Sequence, residues 1–187
     1  CIIRDGDDVG SYFDFDRARR MVDYAPEGLA GRTTERTKSF LGARSIKSAT
    51  LPIIAGPLAA PTLFDGLAAA ASADAIQRSR SYLAGKQGER IGPAFLTVTD
   101  NALAPGGLGS SAFDAEGAPR QVVNVIEDGV FRRMLHGSYT ANKAGEENTG
   151  HGTRSGRVGS TNVNASLGTR TAAEIIAETP EGIYLDA

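Results

Sequence analysis

Apolar and polar residues alternate along this chain in short runs, cut by glycine and proline, and the period changes several times. The first run, "CIIRDGDDVGSYFDF", predicts a hairpin: a strand to Arg4, a turn over residues 5–8 and a return strand to Phe15. Asp-Gly is a strong turn signal because both central positions of a tight hairpin turn favour positive φ. Residues 27–41, "EGLAGRTTERTKSFL", predict a helix with a thin apolar face, and Gly42 suits a left-handed stop just past its end. "ATLPIIAGP" predicts a short buried strand, with Pro52 restricted to an edge or to its first residues. Pro57 and Pro61 suit a helix start, and Leu63, Leu67, Ala70, Ala71 and Asp74 continue at helical spacing.

Further on, "AFLTVTD" (94–100) predicts a strand by its β-branched alternation, followed by a long Gly/Pro loop, "NALAPGGLGSSAFDAEGAP". "RQVVNVIEDGVFRRMLHGSYT" predicts the clearest hairpin, turning at Asp128-Gly129. "ANKAGEE" reads as one helical turn, and "NTGHGTRSGRVGSTNVNAS" as a Gly-rich polar loop. Thr171 and Glu174 match a capping box ahead of "AAEIIAE", and "GIYLDA" returns to strand. Hairpins mixed with helices and no βαβ repeat predict an α+β fold, with a largely antiparallel sheet and a few packed helices.

Bulk composition narrows the function classes only modestly. The 187 residues are 41% hydrophobic and 22% charged, ordinary for a globular protein. Net charge is −2, with no basic stripe, so nothing points to nucleic acid. No apolar run approaches the roughly 20 residues that span a bilayer. Cys1 is the single cysteine, so no intrachain disulfide or redox pair exists, which fits a reducing compartment. A start without Met that already reads as strand leads us to expect a piece of a longer polypeptide, with catalytic residues able to lie outside it.

Candidate chemistry is sparse. His136 and His151 are not in a His-x-x-x-His pattern, and zinc wants three or four ligands. His136 is expected within a sheet, and His151 in a loop touching solvent or backbone. A metal site built from both and nearby carboxylates stays open as a stand-alone enzyme reading. No Gly-x-Ser-x-Gly elbow occurs. "AGKQGE" lacks the framing of a P-loop, and the glycines of "GHGTRSG" are one residue too widely spaced for a dinucleotide fingerprint. Asp114 and Glu116 in "FDAEG" can orient a substrate or work in acid–base chemistry. The same pair before Gly117 also suits turn chemistry, with the carboxylates capping backbone N–H groups. "DAIQRSRSYLAGKQGERI" places Arg78, Arg80, Lys86 and Arg90 in a Gly-punctuated turn behind an Ala-rich helix.

Four stretches, taken in order, resemble one family. They are "RSRSYLAGKQGERIGPAFLTVTDN", "PGGLGSSAFDAEGAPRQ", "VIEDGVFRRMLHGSYTANKAG" and "NTGHGTRSG", and together they resemble the TldD/PmbA (TldD/TldE) metalloproteases. "RDGDDVGSYFDF" is similar to the end of that family's N-terminal region, which places residues 1–20 there and 21–187 in the central part of the domain. The resemblance implies a cytoplasmic protease of two related subunits, acting in proteolysis and peptide maturation. One subunit carries a His-Glu-x-x-x-His helix: its two His bind zinc, its Glu serves as general base, and a Cys much nearer the C-terminus is a third ligand. The other has the same fold without that motif.

Here the corresponding window, "PTLFDGLAAAASADAIQ", has Phe64, Asp65 and Ala69 where the motif falls, and none replaces an imidazole. The resemblance is therefore to the PmbA/TldE type. It implies no catalytic or metal residue in this chain, zinc in a TldD-like partner, and a heterodimer with that partner or a homodimer. A peptide or unfolded protein is the implied substrate, with neither nucleic acid nor membrane as partner. Family members carry names that link them to gyrase, for which the charge gives no independent support. Candidate peptide contacts are Arg78, Arg80, Lys86, Asp114, Glu116, His151 and Arg154. A non-enzymatic peptide-binding or scaffold protein is the alternative.

Overall fold

The computed structural model describes residues 1–185, and the chain falls into two compact units, Cys1–Thr50 and a second that begins at Leu51. The expected end of the N-terminal region at residue 20 lies inside the first unit. There, β1 (Ile2–Asp5) pairs antiparallel with β2 (Asp8–Ser11), so the turn is Gly6-Asp7. Only Gly6 has positive φ in that turn, so one central position, not two, uses the left-handed region. The return strand stops at Ser11, short of the expected Phe15. A single 3-10 turn covers Met21–Asp23. Helix α1 (Leu29–Lys38) has a thin polar-lined face, and threonines do the packing. Thr33 and Thr37 are buried and return their hydroxyls to the carbonyls of Leu29 and Thr33, at 2.7 Å each. The helix approaches β2 so closely that a Cβ on Gly10 would sit 2.6 Å from the Thr37 carbonyl oxygen. Past Lys38 the chain tightens through Leu41, and Gly42 follows at φ +76°.

The second unit holds a four-stranded antiparallel sheet. Its strands are β4 (Val98–Asn101), β5 (Val122–Glu127), β6 (Val130–Phe131) and β7 (Val163–Ala165), in the order β6-β5-β4-β7. Asp128 and Gly129 both take positive φ between β5 and β6, as the hairpin signal requires. β7 is a strand inside the stretch expected to be loop: with only Val163 and Ala165 apolar, its alternation is too short to stand out. A separate pair joins β3 (Ile53–Ala55) to β8 (Ile183–Leu185) and is parallel, an exception to the antiparallel expectation.

Helix α2 (Ala60–Ala70) has Pro61 in its first turn. The expected single helix through Asp74 is broken. Leu135 N–H donates to the Ala71 carbonyl and Ala73 N–H to the Leu135 carbonyl, both at 3.0 Å, so Ser72 is extended. The chain restarts as α3 (Ala73–Gln77). Phe64, Leu67 and Ala70 of the broken pair pack on a core of Ala71, Leu83, Val98, Val123, Val125, Ile126, Phe131 and Leu135. Burying such side chains contributes about 1.5–3 kcal/mol each for the larger ones. Helix α4 (Ser138–Ala144) begins inside the expected strand "HGSYT", and α5 (Ala172–Glu178) carries the expected box. Thr171 Oγ1 accepts from Glu174 N–H at 3.3 Å, and Glu174 Oε2 accepts from Thr171 N–H at 2.7 Å. Among the described residues no helix is long and apolar enough to cross a membrane.

Candidate functional site

The basic turn is a pinned structural element. Gly88 N–H donates to the Phe131 carbonyl at 2.8 Å and Phe131 N–H to the Glu89 carbonyl at 2.9 Å, which ties the turn to β6. Leu83, inside it, is fully buried. Arg78 and Arg80 both reach Asp74, at 2.8 and 3.4 Å, so their charges are met within the same segment. Lys86 is exposed at the turn, and Arg90 donates to the Asp128 carbonyl. This group is not brought together with the other candidates by any bond among the described residues.

Asp114 and Glu116 do meet the segment that carries His151, whereas Arg154 is exposed just beyond it. Asp114 Oδ1 accepts from the N–H groups of Glu116 and Ala118, at 2.9 Å each, which is the turn chemistry its sequence allows. Its other oxygen reaches across to Gly152 N–H at 2.7 Å. Glu116 Oε2 accepts from Ser138 N–H at 2.7 Å, in the first turn of α4. The carboxylate lies against Gly152, where a Cβ would fall 2.4 Å from that oxygen. Asp114 therefore holds the 149–152 segment in place, and Glu116 packs against it while bonded to α4.

His151 is a loop residue but fully buried, so of the expected contacts with solvent or backbone it has the second, its N–H donating to the His136 carbonyl, and not the first. Its Nδ1 is 2.9 Å from Thr149 Oγ1, and its Nε2 is 3.4 Å from Asp100 Oδ1. Asp100, also fully buried, accepts from the N–H and the hydroxyl of Thr161. Burial is the largest influence on Asp100 and opposes its ionisation. The His151 ring nitrogen 3.4 Å away and the bonds from Thr161 together outweigh it, so its pKa lies below the ordinary 3.8. Thr149 Oγ1 in turn takes the His136 N–H at 2.7 Å and donates to the His136 carbonyl.

Asp100 and Thr149 were not singled out in the sequence. The available signal was Asp100 two residues after Val98 in a strand: both point to the buried face, and a buried carboxylate needs partners.

His136 lies between the Leu135 bridge and α4, outside the sheet strands, which corrects its expected place. It is buried, with Nε2 3.3 Å from Glu146 and neither ring nitrogen in a hydrogen bond of good geometry among the described residues. Burial lowers its pKa below 6.5, and the facing Glu146 carboxylate offsets only part of that.

These pairs do not make a zinc site. Each histidine meets one carboxylate, and the described residues hold no group of three or more His, Cys, Asp or Glu able to hold a metal. In α2, Phe64 and Ala69 offer no donor atom at all. The donor set among the described residues does not fit the family's zinc.

At the sheet edge, Asn101 N–H donates to the Asn162 carbonyl and Ser166 N–H to the Thr97 carbonyl. In an antiparallel ladder this turns the backbone groups of Asn162, Asn164 and Ser166 towards β4, and those of Val163 and Ala165 outwards. The stretch from residue 161 to 169 carries no charge and no proline to guard that edge.

A family model described as the PmbA/TldA metallopeptidase C-terminal domain matches residues 48–187. The chain is 30% identical over 153 residues to metalloprotease PmbA of Escherichia coli O157:H7, covering 81% of this chain and 34% of that protein. A PmbA homolog of Buchnera aphidicola is 31% identical over the same length and the same shares of the two chains. Among solved structures, TldE of Thermococcus kodakarensis matches with a TM-score of 0.80 and 30% identity, over 98% of this chain and 43% of that one. A Thermotoga maritima protein named as a modulator of DNA gyrase matches with a TM-score of 0.87 and 32% identity, over 98% and 42%. The fold and the site define a metallopeptidase-like α+β unit whose described residues frame loops and include no group of three or more His, Cys, Asp or Glu able to hold a metal. The chain belongs to the PmbA/TldD family. It spans about a third of the length of these curated relatives.

Proposed function

We propose that this chain forms part of the peptide-binding chamber of a two-component cytoplasmic metalloprotease, as its PmbA/TldE-like subunit, and that a TldD-like partner supplies zinc and hydrolysis. The observation that carries this reading is the α2 window. By the resemblance, Phe64 and Ala69 fall where the catalytic type has its two zinc-binding histidines and Asp65 where it has its Glu, in a helix whose Phe64, Leu67 and Ala70 pack on the core. In the partner, zinc would activate water for attack on the peptide bond. This chain would bind and orient. The outward edge of β7 offers backbone donors and acceptors to an extended peptide, which commonly joins a sheet as one more strand. The loops held by Asp114, Glu116 and the His151–Asp100 pair would form rigid walls beside it.

The test is co-expression with a His-Glu-x-x-x-His relative from the same genome, followed by affinity purification and a peptidase assay. The expected result is a stable mixed complex that cleaves peptide, while the chain alone does not. Stable homodimers, with no such partner recovered and no gain in cleavage on mixing, would refute it.

A further inference from the structure

Nine arginines lie between residues 51 and 185. Seven are bonded. Arg78 and Arg80 meet Asp74, Arg132 meets Glu127, Arg133 meets Glu147 and Arg170 meets Glu178. Arg90 and Arg120 donate to backbone carbonyls. The two guanidinium groups with no such partner among the described residues are Arg154 and Arg157, and both stand on one turn.

That turn is rigid at its base and open at its tip. Gly152 and Val158 bridge across it, Thr153 N–H and Oγ1 both donate to the Arg157 carbonyl, at 2.8 and 3.0 Å, and Gly156 N–H donates to the Thr153 carbonyl at 2.9 Å. Gly156 takes φ +72°, which closes the turn. Below it, Gly152 N–H is held by Asp114, Gly159 N–H by the His151 carbonyl, and the His151 ring by Asp100 and Thr149. Residues 151 and 152 are buried, while 154–157 are exposed. At the tip, Ser155 Oγ lies 3.0 Å from Thr153 Oγ1, adding hydroxyls to the two cations.

Like charges three residues apart on a fixed turn repel, and an oxyanion relieves that repulsion. Guanidinium groups present paired donors that match a carboxylate. We propose that the 153–157 turn is a carboxylate-binding finger that engages an acidic group of the bound peptide: its C-terminal carboxylate, or an Asp or Glu side chain. The identity of the ligand rests on the peptide-chamber reading. The finger itself rests on the geometry above.

The test uses the purified chain and three fluorescently labelled peptides of one sequence: the free acid, the C-terminal amide, and the amide with one internal Glu. Anisotropy should show the acid, the Glu-bearing amide, or both, binding about tenfold tighter than the plain amide. That advantage should shrink with salt, vanish in R154Q/R157Q and partly survive in R154K/R157K. Which of the two peptides gains identifies the source of the carboxylate. Equal binding of all three peptides, or an advantage untouched by R154Q/R157Q, overturns the proposal and leaves the chamber reading intact. If no peptide binds, the chamber reading fails, and a titration with succinate decides the finger. Saturable shifts of the Arg154 and Arg157 Nε–Hε NMR signals uphold it, and their absence overturns it.

Discussion

Replacing Gly152 with alanine tests the idea that Glu116 is part of the frame. Gly152 lies outside the positive-φ region, so alanine meets no backbone objection there. The obstacle is contact: its Cβ would fall 2.4 Å from Glu116 Oε2, 2.5 Å from Cδ and 2.8 Å from Cγ. The backbone cannot retreat without loosening the Gly152 N–H bond to Asp114, at 2.7 Å, and the Ala115 N–H bond to the Gly152 carbonyl, at 3.2 Å. The Glu116 side chain can swing away, but then it gives up Ser138 N–H at the start of α4. Overpacking costs about 1–3 kcal/mol, and loss of a helix N-terminal bond costs about 0.5–2 kcal/mol. The variant should therefore lose about 2–3 kcal/mol, read as a lower urea midpoint at unchanged slope. Glu116→Ala alone should lose about 1 kcal/mol. The double variant removes the obstacle along with the bond, so it should cost less than the sum of the singles by about 1–2 kcal/mol. Strict additivity, or a G152A protein within about 0.5 kcal/mol of the parent, would refute this account.

Gly150→Ala should be worse than Gly152→Ala and have no side-chain rescue: its φ is +71°, and its Cβ would meet the Pro119 carbonyl oxygen at 2.2 Å. Proteolysis at the 149–157 segment reads this out. Leu83→Ala should cost about 2–5 kcal/mol, because Leu83 is fully buried within the basic turn, and urea unfolding measures it. The folded pKa of His136 is depressed, so its stabilising contribution is complete above pH 6.5 and declines as pH falls through the folded value. Thermal scans in mildly acidic buffer should show that decline in the parent and a flatter profile in His136→Leu. Asp100 is depressed as well, so its contribution holds above pH 3.8 and is lost on further acidification. Asp100→Asn should be less stable than the parent at neutral pH, with the gap closing towards the acid limit.

How far the sequence reveals this molecule depends on the range of the interaction behind each element. The Asp128-Gly129 turn and the Thr171–Glu174 box are local, formed by residues within three positions of each other, and both stand as their patterns predict. The break after α2 is not local. Ala71 and Ala73 favour helix, yet Leu135, more than 60 positions away, takes their backbone groups into a bridge. β7 is likewise imposed by pairing with β4 on residues whose own alternation is weak. The same division governs the site. Asp114 shows its turn role in "FDAEG", but its second bond, to Gly152, spans 38 positions. His151 reads as a loop residue meeting solvent or backbone because nothing near it in sequence announces Asp100, 51 positions earlier, as its partner. The residues that look most reactive in the sequence are thus the ones consumed by long-range ties. What those ties leave exposed is the neighbouring tip that carries Arg154 and Arg157, whose guanidinium groups have no partner among the described residues. A buried frame and an exposed tip are two consequences of one arrangement: the turn can present two cations that are unpaired among the described residues at a fixed place only because buried carboxylates hold its base.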